Sequence, residues 1–303
     1  LVYYLSQATL FGRDITFDQY GKYNLRIRKM LEVICTDLDV PHDNDNFKAL
    51  EEYLRKVWFS NGIYHHYGCE KFKPQFSKDY LKEILYKVDA KKLPLENHES
   101  LEDFCNELFP VIFDEDVLPK RVNKAAGEDL IKTSACNFYH NISQEEAEQY
   151  YDQKKSNNVS PHPISYGLNS TLVKKDDQSI IEDTWKADGR YSNAIKHIVY
   201  WLKKAADVAE NSQQKKVIEL LQQYYITGNL ETFNDYCIEW LKEHDATIDF
   251  INGFIEVYGD PLGLKGTWEG IVEYKDEIAT ERTQTISKNA QWFEDHSPVD
   301  EKF

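Results

Sequence analysis

Glu256 and Tyr258 are the residues of this sequence whose types and spacing best suit chemistry. They sit in Gly253-Phe254-Ile255-Glu256-Val257-Tyr258-Gly259-Asp260-Pro261. Alternation from Ile248 through Phe250, Asn252, Phe254 and Glu256 to Tyr258 predicts a strand, with Glu256, Tyr258 and Asn252 on one face. Ile251, Ile255 and Val257 make an apolar opposite face, expected to lie on a core. Asp260-Pro261-Leu262-Gly263 supplies turn chemistry, and Trp268 to Tyr274 is expected as the returning strand. A carboxylate and a phenol fixed two residues apart can hold a cationic amine and donate to a developing oxyanion. The plainer alternative is a solvated Glu and an amphipathic Tyr at a strand end.

Other candidates are thinner. His65-His66-Tyr67-Gly68-Cys69-Glu70 gathers ligand types, but adjacent residues point apart and no second cluster stands at metal-ligand spacing. His98-Glu99 is followed at the ligand offsets by Glu102 and Asp103 rather than His, and reads as a charged helix entrance. No Gly-x-Ser-x-Gly, Gly-x-Gly-x-x-Gly or phosphate-loop pattern occurs. No metal ligands are therefore expected.

The run Gly-Phe-Ile-Glu-x-Tyr-x-Asp-Pro-x-Gly, followed by Trp268-Glu269-Gly270, resembles the substrate-binding strand of the dipeptidyl-peptidase III family. These are zinc exopeptidases that remove dipeptides from peptide N-termini. Gly12-Arg13-Asp14, Ser60-Asn61-Gly62, Tyr67-Gly68, Lys71-Phe72-x-Pro74 and Gly189-Arg190-Tyr191 fall in the family's order, so the resemblance covers essentially the whole chain. It implies that Glu256 binds the peptide α-ammonium and that Tyr258 is the catalytic donor to the carbonyl oxygen. Tyr67 would line the pocket for the substrate's first residue, or else pack in the core. Asn252 is a neighbouring substrate-binding candidate. The family's zinc motif, His-Glu-x-x-Gly-His with a later Glu-Glu helix, is not found here. The resemblance therefore implies zinc in the full-length enzyme, with its ligands outside this chain. It also implies a chain that alone neither binds catalytic zinc nor hydrolyses peptides. Its partners would be short peptides and the remaining C-terminal part of the same polypeptide. A non-catalytic peptide- or partner-binding module is the alternative. A third reading is a helical scaffold in which both residues are incidental; burial of both in a packed core, away from any cleft, would favour it.

Helices must position this strand pair. Apolar spacing predicts them over 18–35, 46–59, 77–88, 100–108 and 143–153, with Ser77 as an N-cap and Ser143-Gln144-Glu145-Glu146 as a capping box. Lys154 to Pro163 is expected as a loop. A hairpin is expected over 164–174 and 178–185, then helices over 191–209, 213–227 and 230–244, broken at Gly228-Asn229, and a last charged helix over 276–293. The fold class is α+β and helix-rich. The resemblance supplies the partition: most of the lower lobe of a two-lobed peptidase with a small strand-built core over 1–275, helical over 1–155 and mixed over 156–275. Residues 276–303 would lead toward a zinc-bearing upper lobe.

The 303 residues suffice for a substantial core. Net charge is −16, from 36 basic and 52 acidic residues, which argues against nucleic acid. Five scattered cysteines do not form a disulfide framework and point to a reducing, cytoplasmic setting. No apolar run is long enough for a membrane span. The chain opens on Leu1 without an initiator Met and is read as beginning mid-protein.

Overall fold

A computed structural model describes residues 1–160, 162–300 and 302. Pro161, inside the expected loop, and Glu301 and Phe303, inside the expected terminal span, lie outside the described residues. Five helices come first: α1 (Val2–Tyr20), α2 (Asn24–Thr36), α3 (Asp45–Ser60), α4 (Lys78–Leu85) and α5 (Leu101–Phe113). Strand β1 (Tyr139–His140), helix α6 (Gln144–Ser156) and strands β2 (Ser170–Lys174) and β3 (Ile180–Thr184) follow. Then come α7 (Ser192–Ala206), α8 (Ser212–Thr227), α9 (Leu230–Trp240), the strand pair β4 (Ile248–Glu256) and β5 (Thr267–Tyr274), and finally α10 (Glu277–Lys288) and α11 (Ala290–Asp295). The fold is helix-rich α+β, as the sequence implies.

Local chemistry sets many of these ends. Ser77 Oγ accepts from the Tyr80 amide at 3.1 Å. Ser100–Asp103 and Ser143–Glu146 each close a reciprocal capping box. Asn229 caps α9 through the Glu231 amide, and Gly228 ends α8 at φ 71°, a conformation that favours glycine. Four expectations need correction. The hairpin's first strand begins at Ser170 rather than Ile164. The last charged helix is broken at Asn289, between α10 and α11. The apolar run over 18–35 is broken at Gly21 into the end of α1 and all of α2. Helix α6 also extends to Ser156, into the segment expected as loop.

Two main cores form. One lies among α2–α5, around Ile27, Leu31, Leu54, Ile84, Phe104 and Leu108. The other joins α1, α7, α8 and α9 to β4 and β5, around Ile15, Ile198, Leu221, Tyr225, Phe254 and Trp268. Helix α1 thus leaves its sequence neighbours and packs on α7 and β5. Asp18 on α1 accepts from Tyr191 Oη at 2.6 Å and pairs with Arg190 at 3.2 Å, which holds the start of α7.

The described strands make two sheets. In one, β2 lies between β1, parallel to it, and β3, antiparallel. The other is the antiparallel β4–β5 pair, with Phe254 opposite Trp268. After Phe254 the register shifts, so that Glu256, not Ile255, faces Thr267. This is a β-bulge, which inserts a residue and re-aims the strand.

Trp268 lies flat against α1. A Cβ on Gly12 would stand 2.1–2.3 Å from its indole carbons, so only glycine lets helix and ring approach this closely. Gly12→Ala is expected to destabilise the chain by about 1–3 kcal/mol through overpacking, read as a lower midpoint in chemical denaturation.

Candidate functional site

The expected faces of β4 are reversed over most of its length. Ile248, Phe250, Asn252 and Phe254 are buried in the core, while Ile251, Ile255 and Val257 are only partly covered. The odd-numbered side chains instead line an open apolar cavity of about 620 Å³ beside Phe233 and Trp240 of α9. The bulge explains why Glu256 nevertheless reaches solvent. It moves the strand off the core alternation between Phe254 and Glu256.

Asn252 is thereby separated from Glu256. It is 2% exposed, and its Oδ1 accepts from Tyr225 Oη at 2.6 Å. Tyr225 Oη in turn accepts from Trp268 Nε1 at 2.9 Å. Asn252 is thus an internal tie between β4, α8 and β5, with its side-chain oxygen already engaged. Gln19 completes the tie from α1. Its Nε2 donates to the Gly266 carbonyl at 3.0 Å and its Oε1 accepts from the Trp268 amide at 2.8 Å.

Glu256 and Tyr258 emerge from this frame. Both are exposed, Tyr258 by 45%, so the burial that would favour the scaffold reading is not found. The Tyr258 hydroxyl lies 3.3 Å from His66 Nε2, and the two rings meet edge to face at 5.9 Å. Burial raises the Tyr258 pKa above its usual value, and the neighbouring Tyr20 hydroxyl and Arg121 guanidinium pull it back. Tyr258 therefore stays a protonated donor at neutral pH. Burial, reinforced by Arg121, lowers His66, so its imidazole is neutral at pH 7.

The strand returning from the turn adds a residue that sequence reasoning passed over as a site group. Glu269, in the quoted Trp-Glu-Gly, is half-buried on β5. Burial raises its carboxyl and the Glu256 charge raises it further. Glu256 and Glu269 thus lie close enough to perturb one another, and the charge of each raises the Tyr258 phenol as well. Adjacent like charges of this kind cannot be seen in a linear spacing, because they belong to different strands.

Tyr67 lies on the loop after α3 and is 95% exposed, which excludes core packing for it. It meets His66 edge-on at 4.8 Å and lines a cavity that Tyr258 also lines. His65 packs on Phe72 instead, with ring centres 4.3 Å apart and planes tilted by 59°. Among the described residues no group of three or more His, Cys, Asp or Glu is placed to hold a metal, and all five cysteines are free. No described helix is long and apolar enough to cross a membrane.

The family model for Peptidase family M49 matches residues 131–303, more than half of the chain. The chain belongs to peptidase family M49. Among its relatives, dipeptidyl peptidase 3 of Dictyostelium discoideum is 24% identical over 274 residues, covering 86% of this chain and 38% of the relative. Human dipeptidyl peptidase 3 is 22% identical over 273 residues, covering 82% and 36%. The chain thus spans well under half the length of these relatives. The solved DPP III of Caldithrix abyssi covers the whole chain at a TM-score of 0.61 and 17% identity, with the match spanning 44% of that structure. The dipeptidyl-peptidase III of Corallococcus sp. strain EGB gives 0.57, at 15% identity over 99% of this chain and 43% of its own. These two likenesses carry the fold of this M49 member.

The turn that follows Tyr258 is pinned by a buried polar group. Asp260 accepts from Tyr139 Oη at 2.9 Å and from the Leu264 and Lys265 amides at 2.8 and 3.0 Å. Lys265 is 0% exposed, with its Nζ against Tyr151 Oη and 3.3 Å from Ser170 Oγ. Burial lowers its pKa from 10.5 to about 7, although Glu182 and Asp260 oppose the shift. Between those pH values the unfolded chain binds the proton that the folded one refuses. Stability should therefore rise as pH climbs from about 7 toward 10, with the full penalty present below 7. In Lys265→Met that rise should flatten in thermal melts across the range. An unchanged slope would show that Lys265 does not govern it.

Proposed function

We propose that this chain is the peptide-binding part of a dipeptidyl-peptidase, releasing dipeptides from the N-termini of short peptides. The observation that carries this reading is the exposure of Glu256 and Tyr258 together, just past the bulge, beside Glu269 and His66. Its support from outside the chain is the dipeptidyl peptidase name shared by the relatives.

In this reading the peptide α-ammonium sits against Glu256, with Glu269 supplying a second carboxylate. Two residues of extended backbone span roughly 7 Å. An anchor at Glu256 and a donor at Tyr258, also two residues apart, therefore suit the first peptide bond to be cut, after the second substrate residue. Tyr258 donates its hydroxyl to the carbonyl oxygen as negative charge develops there, and His66 holds the phenol in place. Family M49 relatives imply zinc for the intact enzyme. The described residues offer no ligand cluster that fits it, and the part assigned to this chain is to bind, space and orient the peptide.

Glu256→Gln should weaken binding of a free-amine peptide by about three- to tenfold in calorimetry, since it removes one exposed charge from the seat. In the peptidase that contains this chain, Tyr258→Phe should lower turnover by about 10²–10³ with little change in affinity. The reverse pattern, with Glu256→Gln acting on turnover and Tyr258→Phe on affinity, would contradict both roles.

A further inference from the structure

Tyr258 has a second neighbourhood, opposite in charge to the first. It borders a cavity of about 660 Å³ whose lining includes His66, Lys120, Arg121 and Lys124 and no Asp or Glu. Neither Glu256 nor Glu269 reaches it. In a chain of net charge −16, none of these three cations has an ion-pair partner among the described residues. Two acids stand near it without lining it: Glu128 accepts from Asn123 Nδ2 at 2.5 Å, and Glu70, bridged through its backbone to Lys120, holds its carboxylate beside Gly68.

Arg121 is the most demanding of them. It is 2% exposed, yet its Nε and Nη1 have no hydrogen-bond partner among the described residues. Its Nη2 donates to the His66 carbonyl at 2.7 Å, and its Cζ stands 4.3 Å from the centre of the Tyr20 ring. The cation–π contact offsets only part of the cost of burying a guanidinium without a carboxylate. Buried polar groups are normally satisfied, so an unmatched buried cation beside a cavity calls for a partner from outside. Its field reaches the cavity through protein rather than water, and Lys120 and Lys124 stand exposed at the rim where direct contact is possible.

We propose that this cavity receives a carboxylate of the bound peptide beyond the bond to be cut: its free C-terminus, or an Asp or Glu side chain. This rests on the peptide-binding role proposed above. A chain anchored by its ammonium at Glu256 and passing Tyr258 runs from an anionic seat to a cationic one. Lys120 and Lys124 grip the carboxylate, and Arg121 sets the potential beneath them.

The test is calorimetry of the 303-residue chain with four alanine-based tetrapeptides at low salt. One has both termini free, one is C-terminally amidated, one is amidated with Glu at the fourth position, and one is N-acetylated with a free C-terminus. The free-acid peptide should bind about three- to tenfold tighter than the plain amide. The Lys120→Ala/Lys124→Ala chain, whose fold is checked by circular dichroism, should lose that preference. The amidated Glu peptide separates the two sources: recovered affinity assigns the cavity to side chains, and no recovery assigns it to the C-terminus. Equal binding of the free acid, the plain amide and the amidated Glu peptide would overturn the proposal, as would a preference that survives the double substitution. Acetylation reports separately on the ammonium seat. Affinity lost on acetylation, with no loss on amidation and no gain from the Glu side chain, refutes the cavity and leaves the seat standing.

Discussion

The single side chain of Gln19 holds the arrangement together. Wholly buried at the end of α1, it offers both a donor and an acceptor to the main chain of β5 and its approach, as a neighbouring strand would. Thr16, one turn earlier, donates to the Trp268 carbonyl at 2.9 Å. Unsatisfied, these buried backbone groups would each cost about 1–3 kcal/mol. A helix is here substituting for the missing edge partner of a two-stranded ribbon, which alone would be marginal in water. Through Trp268, Tyr225 and Asn252 the same fixation passes to β4, so the strand carrying Glu256 is set by a helix more than two hundred residues away in sequence.

Electrostatics then divides the surface that this scaffold presents. Glu256 and Glu269 crowd negative charge near Tyr258, and Lys120, Arg121 and Lys124 bring positive charge to the cavity that it borders. The phenol sits where the two fields meet. Burial and the carboxylates raise its pKa, while Arg121 lowers it. A dipolar substrate would be oriented before it is held, since each end is attracted to one of these charges only.

Much of this was legible in the sequence, and the failures have definite causes. Ser77, Ser143 and Gly228 announced their helix ends because capping is local chemistry. The β4–β5 pair announced itself through alternation and the Asp-Pro-Leu-Gly turn. Helix α1 did not, because it is wedged between α7 and β5. Its buried residues include Gly12, Thr16 and Gln19 beside Leu5 and Ile15, so no clean apolar stripe remains. The face of Asn252 was misassigned for a different reason. A two-residue period carries no mark of a bulge, and one inserted residue inverts everything beyond it. Glu269 and Arg121 escaped notice because their significance lies in neighbours supplied by other segments.

Because the backbone changes allegiance at Ile255, the buried strand positions before it and the exposed residues after it differ in what a substitution can disturb. At Ile248, Phe250, Asn252 and Phe254, a substitution would disturb packed partners such as Tyr225 and Trp185 and cost stability. At Glu256 and Tyr258, which are exposed, it would touch mainly whatever binds there. Such a partition would let preference change at the exposed residues while the buried ones keep the strand in place.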